Sequence, residues 1–222
     1  MTPSIVHEDN HLLLVNKPPG MLVQGDATGD TCLKDWAEID VAARHNKPGK
    51  AFIGVVHRLD RPTSGLVLLA RTSKALSRMS QAFAARQVDK TYWALVEGHP
   101  ENLEGRLIHN LLRDPKKNKS FVSQRPQAKE AILNYRVIQS LDNYSLLEIK
   151  LETGRHHQIR CQLAHLGHAI VGDVKYGARR GLGDGSIGLH ARGLSMTHPT
   201  TKELLEFTAE PPDAGIWGIV DC

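Results

Sequence analysis

Two short runs rich in β-branched and aliphatic residues, Phe52 to Val56 and Leu66 to Ala70, enclose nine residues that no regular helix or strand would hold: His57-Arg58-Leu59-Asp60-Arg61-Pro62-Thr63-Ser64-Gly65. Proline, serine and glycine at this spacing demand a loop, and the flanking runs have the length of buried strands. A polar loop fixed between two strands is a rigid mount for reactive side chains. The rest of the chain must supply the sheet to which those strands belong. Ser4 to His7 and Leu12 to Val15 read as a hairpin around Glu8-Asp9-Asn10, followed by Asn16-Lys17-Pro18-Pro19-Gly20, where a backbone turn is needed. Tyr92 to Val96 is a strand, and Ala131 to Gln139 and Tyr144 to Leu151 look like antiparallel partners turned at Leu141-Asp142-Asn143.

Helical spacing appears in three places. Thr31 to Arg44 carries Leu33, Trp36, Ala37 and Val41. Thr72 or Ser73 caps a stretch whose Leu76, Met79 and Phe83 form one apolar stripe. Arg155 to Leu166 sets Ile159, Leu163 and Leu166 on one side, with Gly167 at its end. These helices do not alternate with the strands as a βαβ series, so the expected fold class is α+β, a largely antiparallel, mixed central sheet flanked by helices. At 222 residues the chain has the size of one domain, expected to cover 1–222.

Gly65 to Ala70 is the longest apolar run that resembles a membrane segment and is far too short to span a bilayer. Cys32, Cys161 and Cys222 are odd in number and widely spaced, which suits reduced thiols. A cytoplasmic, monomeric protein is expected. A net charge of +4 permits contact with phosphate backbones without demanding it, but the charge is uneven. Between Arg113 and Lys129, six cations (Arg113, Lys116, Lys117, Lys119, Arg125, Lys129) face one anion, Asp114. The segment is either a phosphate-binding surface or a solvated loop.

Asp60 stands between Arg58 and Arg61, and two cations converging on it would favour a charged carboxylate able to act as nucleophile or base. The plainer arrangement is a loop aspartate paired to a neighbouring arginine. Arg160 falls at the margin of the Ile159–Leu163 stripe, where an arginine can enter a partly buried ion pair or lie over apolar neighbours. Tyr92 shares a strand face with Ala94 and Val96, a position that also suits core packing. His156, His157, His165 and His168 invite a metal, but no acidic or cysteine cluster accompanies them and they do not converge on one side of their helix. No metal is expected.

The segment from His57 to Leu66 resembles the HRLDxxTSG signature of the RluA family of pseudouridine synthases. The likeness runs through Asn16-Lys17-Pro18-x-Gly20, Lys90-Thr91-Tyr92-x-Ala94-x-Val96-x-Gly98, Thr153-Gly154-Arg155-x-His157-Gln158-Ile159-Arg160, Gly172-Asp173-x-x-Tyr176-Gly177, Leu189-His190-Ala191 and Thr197-His198-Pro199. Gln162 and Ala169 stand where many relatives have histidine and proline, which bears on the subgroup rather than the chemistry. The resemblance implies an enzyme without cofactor that turns uridines of structured RNA, transfer or ribosomal, into pseudouridine. It implies Asp60 as the catalytic carboxylate, Tyr92 packed on the target uracil, Arg160 paired with the aspartate, and Arg58 in the space left by the extruded base. Arg61, Arg155, Lys116, Lys117 and Lys119 are the further expected RNA contacts. A catalytically silent RNA-binding module of the same fold is the alternative, against which the presence of Asp60, Tyr92 and Arg160 argues. A glycosidase would require a second acid beside Asp60.

Overall fold

The computed structural model describes residues 2–213 and 215–220. In chain order the main elements are β1 (Ser4–Glu8), β2 (Leu12–Lys17), α1 (Leu33–Arg44), β3 (Gly54–Val55), β4 (Ser64–Ala70), α2 (Ser73–Ala84), β5 (Val88–Glu97), β6 (Glu104–Asp114), β7 (Lys119–Val122), β8 (Lys129–Ser140), β9 (Tyr144–Leu151), α3 (Gln158–His165), β10 (Leu189–Thr197) and β11 (Leu204–Thr208). The α+β class expected from the sequence is the one observed. The chain divides into two compact units: the residues up to Val88 together with Ala191–Pro211, and Asp89–His190 together with the residues from Pro212 onward.

In the first unit the strands lie in the order β1, β2, β4, β10, with β11 on β10 and β3 on β4. β2 and β4 run antiparallel from Leu12 opposite Ala70 to Lys17 opposite Gly65. Alternation then places Leu12, Leu14, Leu66 and Leu68 on one face, where they pack with Ala75 and Met79 of α2. Each leucine is essentially inaccessible to water and contributes about 1.5–3 kcal/mol. α2 starts where Thr72 Oγ1 accepts from Ala75 N at 3.2 Å, as the sequence suggested. α1 begins two residues later than expected, after Cys32.

The second unit has the strand order β5, β9, β8, β6, β7, and each pairing from β5 to β7 is antiparallel. β8 and β9 confirm the hairpin read at Leu141-Asp142-Asn143. β6 and β7 are an addition: most of the basic segment lies on and around a β-hairpin, not in a free loop. α3 is shorter than the Arg155 to Leu166 stretch suggested. His157 adopts left-handed backbone with φ 52°, and the Gln158 side chain folds back so that its Oε1 accepts from Arg155 N and Thr153 Oγ1. Those bonds hold residues 153–157 in a loop. Leu95, Leu146, Val171 and Trp217 form one core cluster; Leu111, Ala131, Cys161 and Tyr176 form another.

Cys32 and Cys161 are buried thiols without a disulfide, and burial pushes the Cys161 thiol up to about 11. Cys222 lies outside the described residues. No described helix is long and apolar enough to cross a membrane.

Candidate active site

The 57–65 loop is held from both ends. His57 Nε2 accepts from Leu68 N at 3.0 Å, and its ring stacks on Phe83 with centroids 4.6 Å apart. Leu59, Thr63 and Ser64 are buried, and Thr63 N donates to Asp60 O at 3.1 Å to close a turn around Arg61 and Pro62. Gly65 has φ +113° and lies against the backbone of Ala191; a Cβ there would meet Ala191 N at 2.5 Å and its carbonyl oxygen closer still. The result is a partly exposed Asp60 on a backbone with little freedom.

The two arginines beside Asp60 do not converge on it. Arg61 turns to the first unit's N-terminal segment, donating through Nη2 to Asp30 at 2.6 Å and through Nε to Gly20 O at 3.0 Å, while Arg58 projects outward with its side chain exposed. A cation of this unit that interacts electrostatically with Asp60 is Lys17. Its side chain is inaccessible, and Nζ donates to Pro18 O and Met21 O, both at 2.9 Å, and to Arg61 O at 3.4 Å. Burial strips water from the ammonium and pushes its pKa down to about 7, with the Asp60 carboxylate acting in the opposite sense. Gly20 N donates to Arg61 O at 2.8 Å, so the 17–21 turn and the 57–65 loop are laced together. Sequence reasoning treated Lys17 only as part of a turn. The signal was present in the strand period: Leu13, Val15 and Lys17 share one face, so the lysine points where the core residues point.

In the second unit, Tyr92 is buried on β5 opposite Ile149 of β9. Arg160 is buried on α3 and grips Asp173 with two bonds, Nε to Oδ2 at 2.7 Å and Nη2 to Oδ1 at 2.9 Å. Only 6% of the arginine side chain and 1% of the aspartate side chain reach solvent, and the guanidinium carbon sits 5.1 Å from the centroid of the Tyr176 ring. Asp173, placed from the sequence only within the Gly172-Asp173-x-x-Tyr176-Gly177 motif, is thus a partner of the expected basic site residue. Tyr176 OH accepts from Ser120 N at 2.8 Å, and burial drives its pKa well above the usual tyrosine range. Arg155 lies at the surface, Nε donating to Glu130 O at 2.8 Å.

The basic hairpin presents Lys116 and Lys117 at its exposed turn, with their backbone N–H groups donating to Asp114 Oδ1 at 3.0 and 3.1 Å. Lys119 behaves differently: its Nζ lies 4.8 Å from the centroid of Tyr176. His156 and His157 stack with centroids 3.8 Å apart; His156 contacts Ser120 and Asn118, and His157 Nδ1 contacts Tyr176 OH. Among the described residues no group of three or more histidine, cysteine, aspartate or glutamate side chains is placed to hold a metal ion.

The RNA pseudouridylate synthase family matches residues 11–165, a stretch that contains the 57–65 loop, Tyr92 and Arg160. Ribosomal large subunit pseudouridine synthase D of Zymomonas mobilis is 36% identical over 219 residues, covering 94% of this chain and 69% of the relative. Synthase C of Vibrio cholerae is 34% identical, covering 92% and 64%. This chain therefore spans about two thirds of the length of these relatives. Among solved structures, the human protein RNA pseudouridylate synthase domain containing 4 aligns with a TM-score of 0.78 at 27% identity, over 94% of this chain and 88% of that one.

Proposed function

The chain belongs to the RNA pseudouridylate synthase family and is an RNA pseudouridine synthase, an isomerase; we propose that its substrate is ribosomal RNA and that Asp60 is its catalytic carboxylate. The observation that carries this reading is the mounting of Asp60, the acid of the signature loop, on backbone fixed by His57, Thr63 and Gly65 and laced to the buried Lys17 turn. Relatives named for the large ribosomal subunit support the choice of RNA. Residues 1–222 act together as the catalytic domain. The silent RNA-binding module has no observation in its favour.

The reaction breaks the bond from C1′ to N1 of uracil and makes one from C1′ to C5, with no net redox change. Three routes are open to a charged carboxylate: attack at C1′, addition at C6, or removal of the C2′ proton. Each needs the carboxylate held within bonding range of a base that has left its stack, and extrusion costs a few kcal/mol. Tyr92 stacks on the extruded uracil and offsets part of that cost, Arg160 orients the anionic site, and Arg58 fills the vacated strand. The proton lost from C5 passes to Tyr92 or to water.

Tritium release from C5-labelled uridine in large-subunit ribosomal RNA tests this directly. Wild-type protein releases tritium; Asp60→Asn retains affinity for the RNA and releases none. Isomerisation by the asparagine variant at a rate near wild type would falsify the role of Asp60. Mapping pseudouridine in ribosomal RNA from cells with and without the protein identifies the target position, and an unchanged map would overturn the assignment to ribosomal RNA.

A further inference from the structure

The first unit contains a groove that the Asp60 loop does not use. It encloses about 670 Å³ between α2 and the turn joining β10 to β11, and no carboxylate lines it. Arg78 stands on the α2 wall and Lys202 on the turn; Arg78 Nη1 donates to Pro199 O at 2.9 Å and Lys202 Nζ to the same oxygen at 3.3 Å. Two cations thus converge on one carbonyl. Among the described residues no acidic side chain lies within ion-pairing distance of either. Several other cations of this unit are paired with acids: Lys34 with Glu38, Arg44 with Glu8 and Asp40, Arg61 with Asp30, Arg192 with Glu210.

The sequence of α2 reinforces the contrast. Between Arg71 and Val88 there are four cations, Arg71, Lys74, Arg78 and Arg86, and no acid; of the four, Arg71 is paired with Glu8 of β1. Ala82 and Ala85 on the groove wall leave the helix surface low, and Gln81 and Gln87 add amide groups that donate and accept. The C-terminal end of a helix ordinarily repels an anion, but here Arg86 N and Gln87 N cap the Phe83 and Ala82 carbonyls. Lys202 is held in left-handed backbone with φ +70°, which costs a lysine about 1–2 kcal/mol relative to a right-handed conformation. The charge is kept at a strained position.

We propose that this groove binds the sugar–phosphate backbone of the substrate RNA, a phosphate seating between Arg78 and Lys202 and thereby relieving the repulsion between them. The proposal rests on RNA being the substrate and adds a contact outside the Asp60 loop and the basic hairpin. It accounts for a groove that is polar, acid-free and open enough for a strand to pass along.

The test is Arg78→Gln/Lys202→Gln in the full chain, with a ribosomal RNA fragment as ligand. Losing the one phosphate contact that Arg78 and Lys202 share should flatten the plot of log affinity against log salt by roughly 0.7–0.9. Single-turnover isomerisation at saturating RNA should stay within about twofold of wild type. Ala85→Glu, at an exposed helix end, is the second variant; it places a carboxylate in the groove without removing a hydrogen bond and should weaken binding while leaving the circular dichroism spectrum unchanged. Wild-type affinity and salt slope in both variants would overturn the proposal, as would a groove occupied by an acidic polypeptide, which predicts that same result. If wild-type protein makes no pseudouridine in ribosomal RNA but the variants still lose slope, the catalytic reading fails and the groove stands.

Discussion

Replacing Asp173 with asparagine keeps the shape of the side chain and removes the charge that Arg160 Nε and Nη2 both donate to. An amide can accept only one of those two bonds; its NH₂ group must face the other donor. With 1% of the aspartate and 6% of the arginine side chain exposed, water cannot replace the lost partner. Breaking a buried pair from one side costs about 3–5 kcal/mol. For a chain of this size each kcal/mol lowers the melting temperature by roughly 2–4 °C, so the midpoint should fall by about 6–20 °C. Urea unfolding followed by circular dichroism gives the free energy, and an unchanged m-value certifies that the native state alone was affected. High salt should not reproduce the loss in wild type, because a buried pair is poorly screened. A destabilisation below about 1 kcal/mol would refute the reasoning, since that is the scale of an exposed ion pair.

Gly65→Ala should destabilise by more than about 3 kcal/mol in the same assay, because it combines a φ of +113° with a clash against the Ala191 backbone; Gly20→Ala, with φ +83° and open space around it, should cost only about 1–2 kcal/mol, and equal losses would contradict this account. Lys17 titrates near 7 when folded and near 10.5 when unfolded, so between those values the unfolded chain holds the extra proton and stability rises with pH, by at most about 1.4 kcal/mol per unit. Lys17→Met should lack that rise, and parallel stability curves for the two proteins from pH 7 to 10 would show that the lysine is not perturbed. Lys116→Ala/Lys117→Ala, at the hairpin turn, should flatten the salt dependence of RNA affinity by about 1.4–1.8 with turnover at saturating RNA unchanged; a wild-type slope would return the turn to mere solvation.

The parts of this protein that were legible in its sequence are those where a local pattern decides the structure. Thr72 before Leu76, Met79 and Phe83 announces a capped amphipathic helix, and the loop residues between Val56 and Leu66 exclude any regular element. The hairpin of β6 and β7 was not legible, since its strands are studded with charged residues and expose Ile108 and Phe121; only pairing with β8 makes a strand of it. The start of α3 was missed because a side-chain bond from Gln158 to the backbone of Arg155 overrides helical periodicity. At the site, the acid was readable but the buried lysine that interacts with it was not. Arg58 and Arg61 are adjacent in sequence and point elsewhere, whereas Lys17 is 43 positions from Asp60 and acts on it through the fold.

The return of Ala191–Pro211 to the first unit sets an order on how the protein can be assembled. β4, which leads directly out of the Asp60 loop, has β2 on one side and β10 on the other. As the chain leaves the ribosome, β2 is available before β4 is made, but the residues of β10 emerge more than a hundred positions later. Throughout that interval the part of the far edge of β4 that β3 does not cover offers unpaired N–H and C=O groups, and Gly65 lacks the backbone of Ala191 that it packs against. The loop that carries Asp60 therefore reaches its final bracing only after β10 has been made, by a contact of high sequence separation, the kind that forms slowly.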